Sequence, residues 1–507
     1  MSDELKRQVD VERQQLCRLL ETRARLLAKC CADEPTVDEL AALAAILHAF
    51  YNGVENIFRR GSAMTIRIVL FLASVLLIIS PLTVLLAAEW YVAPPPLGNN
   101  KNPGTEAEPF ATIQRGINAA TDDDTVIVAR GTYVENVNFD GKNIVLTSTN
   151  PLDWSVVAST MIDGNQSGSV VAFDSTEDER CILSGFTIRN GTGNDFVSPS
   201  DTYPGGGGIL GGEHYESRTR ATIQNNLIVG NIAHDGAGIA LCDGLIRNNV
   251  LIGNHANPSW PGGGLLMCNG IIEGNLVAGN TSNCGGGVSH CNAVIHNNTV
   301  VGNFATTDGG GLSFCGTRNF APPGATITNN IVWGNESPLG PQIHESYPAT
   351  YCCIQDWVGG EGNLSRDPDF ADADGPDNDP NTYEDNDYRL LLTSACVDAG
   401  TNEDWMNGAT DLDGNPRILV GATSLTVDIG AYEYRFDFAI ARNGVGNTEL
   451  SWTMRPQMSY TVFSTSDVLL QPWAEETTIF GGKTGGPASW IDPDASSALK
   501  FYKLEVK

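Results

Sequence analysis

Short apolar runs, each followed by Gly or Asn, return through the middle of the chain with a steady beat. The stretch from Pro261 reads PGGGLLMCNGIIEGNLVAGN, and related stretches begin at Asp235, Asn283 and Asp308. Cys242, Cys268, Cys291 and Cys315 recur about every 23–26 residues, in step with the glycine triplets. Self-similarity at such a period marks a stacked architecture. Each apolar run has the length of a strand and is too short for a helix. Three strands and three turns per repeat make one coil of a parallel β-helix. No coil buries its own apolar face, but stacked coils share a continuous core. The doublets Asn225-Asn226, Asn248-Asn249, Asn297-Asn298 and Asn329-Asn330 fall at one turn. Asn tolerates the left-handed conformation that a sharp bend needs. Stacked Asn side chains are expected to bond from coil to coil.

The pattern changes toward both ends. Residues 1–63 have apolar positions at helical spacing with little Gly or Pro. Residues 64–88 continue with a basic start, an apolar run of about 20 residues and a small-residue exit, which reads as a signal peptide or transmembrane helix. Arg59, Arg60 and Arg67 precede the run, so an uncleaved chain would keep its N-terminus in the cytoplasm. Either form exports the chain beyond residue 88, as a secreted or cell-surface protein. Ile113, Ile117 and Ala120 lie on one face of an amphipathic helix suited to plugging the open end of the stack. Residues 436–507 alternate apolar and polar positions, as in a small β-sandwich.

Several stretches resemble known families. PFATIQRGINAA, DTVIVARGTYVENV and NIVLTS, within residues 89–148, resemble the opening coil of right-handed parallel β-helix proteins of the pectin-lyase-like superfamily. DLDGNPR and VDIGAYE, within residues 385–434, are similar to the closing segment of exported β-helix proteins of the choice-of-anchor type. ALAAILHAFYNGVENIFRR, residues 42–60, resembles the HepT-like family of helical toxin-associated proteins. Here, however, His48 and Tyr51 stand one residue further apart than in that family's catalytic motif, and the later half of the domain is missing. The expected architecture is all-β. It comprises a HepT-like helical fragment (1–63, with Met64 as the expected true start), a hydrophobic helix (64–88), a capped right-handed parallel β-helix (89–435) and a small C-terminal β-sandwich (436–507).

Composition narrows the function. The formal net charge is −30, with nearly all the excess acid after residue 63, which argues against nucleic acid as a partner. Nine of the 12 cysteines lie beyond residue 64, and the sequence leaves their pairing open. The resemblance implies a polysaccharide groove along one face of the helix, with cleaving members using Ca²⁺-bound substrate plus a basic residue, or an aspartate cluster. Neither the hydrolase strings as a set nor the lyase signature occurs here. Arg189, Arg220 and Arg247 are the arginines on the coils, and no spacing singles one out.

What remains is a row of polar and aromatic residues before the glycine triplets: His234 and Asp235, His255 and Trp260, Asn283, and Thr307 and Asp308. Equivalent positions of successive coils stack about 5 Å apart, so the row would form a lateral groove in which Trp260 stacks on a sugar ring. The competing reading is a row of ordinary solvated turn residues. His290 and His296 are expected in structural roles. On an acidic loop, Asp372, Asp374, Asp377 and Asp379 could offer oxygens to Ca²⁺, although no cofactor is required. The expectation is a surface protein binding glycans or cell-surface polymers without catalysis. The alternatives are a polysaccharide lyase or hydrolase and, beyond these, an N-terminal toxin-like RNase.

Overall fold

The computed structural model describes residues 87–197, 202–316, 325–391, 393–418 and 426–434, and strands of the C-terminal region between 438 and 506. The HepT-like segment and nearly all of the hydrophobic helix lie outside the described residues. Among those described, no helix is long and apolar enough to cross a membrane.

The repeats form the expected parallel β-helix. A first sheet of ten strands runs from Glu89–Val92 to Ala349–Thr350, a second of nine from Gly131–Val134 to Cys353–Ile354, and a third of eight from Val137–Asn138 to Ile343–His344. Each coil gives one strand to each sheet, and neighbouring coils pair in parallel register. Ile246 of the first sheet, Leu251 of the second and Ile239 of the third all point inward, fully buried in one continuous core. Between the second and third sheets a short side sheet stacks Ile232–Ala233, His255–Ala256, Thr281–Cys284 and Phe304–Asp308. The N-terminal plug is Ile113–Ala119, capped by Thr112, with Ile113, Ile117 and Ala120 buried against the first coil.

The Asn doublets divide their work. The first Asn of each takes the left-handed conformation, with φ of 56° at Asn225 and 51° at Asn248. The second builds a buried ladder: Asn226 Nδ2 donates to Asn249 Oδ1 (3.1 Å), Asn249 to Asn275 (3.1 Å) and Asn275 to Asn298 (2.9 Å). The ladder ends where the Asn330 backbone N–H donates to Cys352 Sγ. A second ladder at the next turn joins Asn231, Asn254, Asn280, Asn303 and Asn335 and ends on Gln342. Its signal was the repeated Gly-Asn closing each coil, which sequence reasoning took only as a turn.

The cysteine column sits reduced. All nine cysteines of the described residues are free and buried. Cys268 forms no bridge with its neighbour; its backbone N–H donates to Cys291 Sγ at 3.3 Å. Burial pushes the thiols of Cys315 and Cys352 up to about 12. The thiolate is the reactive form, so the native protein should resist iodoacetamide and take up label at these positions only after unfolding. Mass spectrometry of labelled peptides checks this, and native labelling of Cys315 or Cys352 would contradict it.

Strands of the second sheet are apolar on both faces, as Leu276–Ala278 shows, because a covering segment folds back over them. Tyr388, Leu412 and Ala431 of that segment pack on Ile252, Leu276 and Val301. The strings DLDGNPR and VDIGAYE bind one another. The Asp411 carboxylate accepts the backbone N–H groups of Asp413, Asn415 and Glu433, while the buried Arg417 donates to Gly430 O, Ala431 O and Glu433. At the C-terminus two three-stranded antiparallel sheets enclose Leu450, Trp452, Tyr460 and Val462, the small β-sandwich the alternation predicts.

Candidate functional site

One lateral face of the coil stack gathers the sequence-selected residues unevenly. Beyond its inward-facing residues, the third sheet presents an outer row of Ala240, Leu266, Ser289, Ser313 and His344. The antiparallel hairpin Asn194–Val197/Thr202–Gly205 covers the apolar end of this row, packing Phe196 on Leu210, Ala240 and Leu266. Beside it lies a three-ring group. The ring centroids of His234 and Trp260 are 4.4 Å apart, those of Tyr203 and Trp260 5.2 Å, and those of Tyr203 and His234 5.1 Å. Trp260 remains 37% exposed, so one edge of the group faces solvent.

Tyr203 was missed, although its signal was present. Tyr203-Pro204 precedes Gly205–Gly208 as Trp260-Pro261 precedes Gly262–Gly264, so the rule that selected Trp260 selects Tyr203 as well. A second set of rings continues the face toward the later coils, with His290–Phe314 at 5.0 Å and Phe314–His344 at 5.6 Å. Burial lowers the His290 pKa, which favours the neutral ring, and its Nδ1 lies 2.9 Å from Ser289 Oγ.

The polar candidates mainly brace the loop that carries Trp260. Asn283 Nδ2 donates to Pro258 O (3.1 Å) and Thr306 Oγ1 (3.2 Å), and Thr306 Oγ1 donates to the same Pro258 carbonyl. Thr307 Oγ1 donates to Asn283 O at 2.8 Å. His255 is not part of the group. It lies on the exposed face of the side sheet, with Nδ1 2.8 Å from Thr281 Oγ1.

Asp235 and Asp308 occupy one column, Gly205–Asp235–Pro261–Cys284–Asp308–Leu339, joined rung to rung by backbone bonds and bridges. Their fates differ because of the residue five positions on. Ser313 Oγ donates to Asp308 Oδ1 at 2.5 Å, whereas Asp235 meets Ala240, which offers no donor. Asp235 is therefore buried, at 2% exposure, with Oδ1 lacking a hydrogen-bond donor and 3.6 Å from His234 Nδ1. Desolvation raises its pKa to about 7. The expectation of a solvent-facing, sugar-bonding Asp235 is corrected: the carboxyl is buried beside His234.

This arrangement can stack and hydrogen-bond a ligand, but it does not assemble paired acid–base chemistry. Three rungs separate Asp235 from Asp308, about 14 Å at the spacing of neighbouring strands. The carboxyl pairs of glycoside hydrolysis stand about 5–9.5 Å apart. The outer row and the Asp235 column contain no Lys or Arg to abstract or neutralise. Of the acidic-loop candidates, Asp372 and Asp374 lie together, and desolvation, then the hydrogen bond with Asp374 and the charges of Asp374, Asp387 and Asp385, push the Asp372 pKa up. Asp377 and Asp379 instead accept bonds from Thr382 and Asn381 within their own turn. Among the described residues no three His, Cys, Asp or Glu side chains converge as a metal site.

No family model matches the chain, and no curated protein matches it. Solved structures with similar chain paths include the pectate lyase Pel9A, at 15% identity and a TM-score of 0.32, covering 69% of this chain and 96% of that one. The complex of XylC with xylose is similar at 12% identity and a TM-score of 0.26, covering 82% and 100%. The GH136 lacto-N-biosidase from Eubacterium ramulus is similar at 10% and 0.23, covering 62% and 66%.

Proposed function

We propose that this protein is an exported β-helix protein that binds polysaccharide on the face carrying Tyr203, His234 and Trp260, without cleaving it. The observation that carries this reading is the partly exposed Trp260 ring, backed by two further rings and held by a loop that Asn283 and Thr306 brace. A rigid aromatic surface with a polar rim suits a sugar ring, whose C–H face stacks while its hydroxyls hydrogen-bond. The separation of Asp235 from Asp308 speaks for binding over hydrolysis. The lack of Lys or Arg on this face speaks against a lyase acting there. Export rests on the character of residues 64–88, and N-terminal sequencing of the mature protein should find an end near residue 88 or 89.

Affinity electrophoresis through gels containing soluble neutral or acidic polysaccharides tests the binding. The wild-type protein should be retarded by at least one of them. Trp260→Ala and Tyr203→Ala should each weaken that retardation at least tenfold with circular dichroism unchanged. Retardation equal in wild type and both variants would remove this face from the account. Incubation with the retarding polymer should release neither reducing ends nor ultraviolet-absorbing unsaturated ends; release of either would establish a hydrolase or a lyase.

A further inference from the structure

A second cleft opens on the other side of the coil stack, where the covering segment meets the outer face of the first sheet. There Gln224, Arg247, Glu273, His296 and Thr328 stack one per coil in parallel register. Arg247 and Glu273 are neighbours on this column, yet they form no ion pair. His296 takes the carboxylate instead: its Nε2 lies 3.1 Å from Glu273 Oε2 and its Nδ1 3.2 Å from Glu403 Oε2. The ring is buried between two carboxylates, whose hydrogen bonds and charge raise its pKa against the opposing effect of burial. Glu403 also accepts from Trp405 Nε1 (2.9 Å), and the Trp405 ring lies 4.5 Å from His296.

Arg247 is thereby left without a counter-charge. Its Nε donates to Gln224 Oε1 at 2.8 Å, which fixes the plane of the guanidinium, and no carboxylate of the described residues is within ion-pair distance. Such a residue is conspicuous in a chain of net charge −30. It lines a cavity of about 190 Å³ together with Trp405, Leu152, Asn225, Asn248 and Glu273, the last with its Oε2 held by His296. Arg417 also lines this cavity; its Nε is buried and lacks a partner. Gly274 keeps the space open. It interrupts the Asn column at the turn, and a Cβ there would stand 2.4 Å from Asn248 Oδ1 and 3.1 Å from Arg417 Nη2.

We propose that this cleft binds one carboxylate-bearing sugar residue. Arg247, oriented by Gln224, meets the carboxylate with its paired N–H groups. Trp405 supplies the wall on which the ring packs, and the amides of Asn225 and Asn248 serve the hydroxyls. The volume lies below the range of drug-sized sites and suits a single ring rather than a polymer segment. The site shares no residue with the Trp260 face, so either can fail without the other.

Calorimetric titration of the full-length protein with sodium glucuronate, methyl β-glucuronoside, glucose and acetate tests the proposal. Glucuronate or its methyl glycoside should bind saturably, with glucose and acetate at least tenfold weaker. Binding of the glycoside assigns the site to a chain end, and binding of the free acid alone assigns it to the monosaccharide. Arg247→Gln should weaken binding at least tenfold, and Arg247→Lys should restore part of it, with the thermal midpoint and polysaccharide retardation at Trp260 unchanged. No saturable binding of either uronate, acetate binding as tightly as glucuronate, or an unaltered Arg247→Gln variant would each overturn the proposal.

Discussion

Asn275→Ala should destabilise the β-helix by about 3–5 kcal/mol, while Asn225→Gly should change it by less than about 0.5 kcal/mol. The side chain of Asn275 is a node. Nδ2 donates to Ile246 O on one coil and to Asn298 Oδ1 on the other, both at 2.9 Å. Oδ1 accepts the Asn249 backbone N–H at 2.9 Å and Asn249 Nδ2 at 3.1 Å. Alanine leaves a backbone N–H, an amide proton and a carbonyl unsatisfied where no water reaches, at about 1–3 kcal/mol each. The loss is compounded because the bonds form a polarised chain along the axis. Asn225 has the complementary task, holding φ at 56° on the half-buried side of the same turn, which glycine performs without strain. Denaturant midpoints of the two variants provide the measurement. Equal effects would mean that the ladder contributes no more than the bend.

The contrast also shows what could be read from the chain. A doublet of Asn at a fixed period announced both a bend and a ladder, because local conformation and a neighbour one repeat away are functions of spacing alone. The plug helix was equally legible from Ile113, Ile117 and Ala120. Contacts between segments of different period were not. Nothing near Arg247 foretells that residues 403–417 will roof it, since that approach depends on the covering segment packing its Tyr388 and Leu412 on the second sheet. The same limit hid the aromatic group: Trp260 could be picked out as an aromatic before a glycine triplet, but its partnership with Tyr203 depends on the fold of the hairpin. It also made Asp235 and Asp308 look alike. Their environments diverge through Ala240 and Ser313, and that comparison becomes possible only when the coil is known.

Asp235→Asn should stabilise the protein at pH 8 and flatten its stability between pH 4 and 7. The carboxyl is buried beside His234, and desolvation lifts its pKa from the ordinary 3.8 to about 7. A raised carboxylate pKa means that the folded state holds a proton which the unfolded chain has released. Stability is therefore full below about pH 4, declines as pH rises toward 7, and stays low above it. The full shift corresponds to a loss of up to about 4 kcal/mol, at roughly 1.4 kcal/mol per unit. The charged groups that face Asp235 limit this loss: His234 Nδ1, at 3.6 Å, would stabilise the anion if protonated, while Cys284 two rungs away adds no cation. Asparagine keeps the shape and removes the ionisation, so the variant should gain most of that loss back at pH 8 and little at pH 4. Chemical denaturation across this range measures it. Parallel stability curves for the two proteins would place the carboxyl in contact with water, and with it would go the account of Ala240 as the residue that strands it.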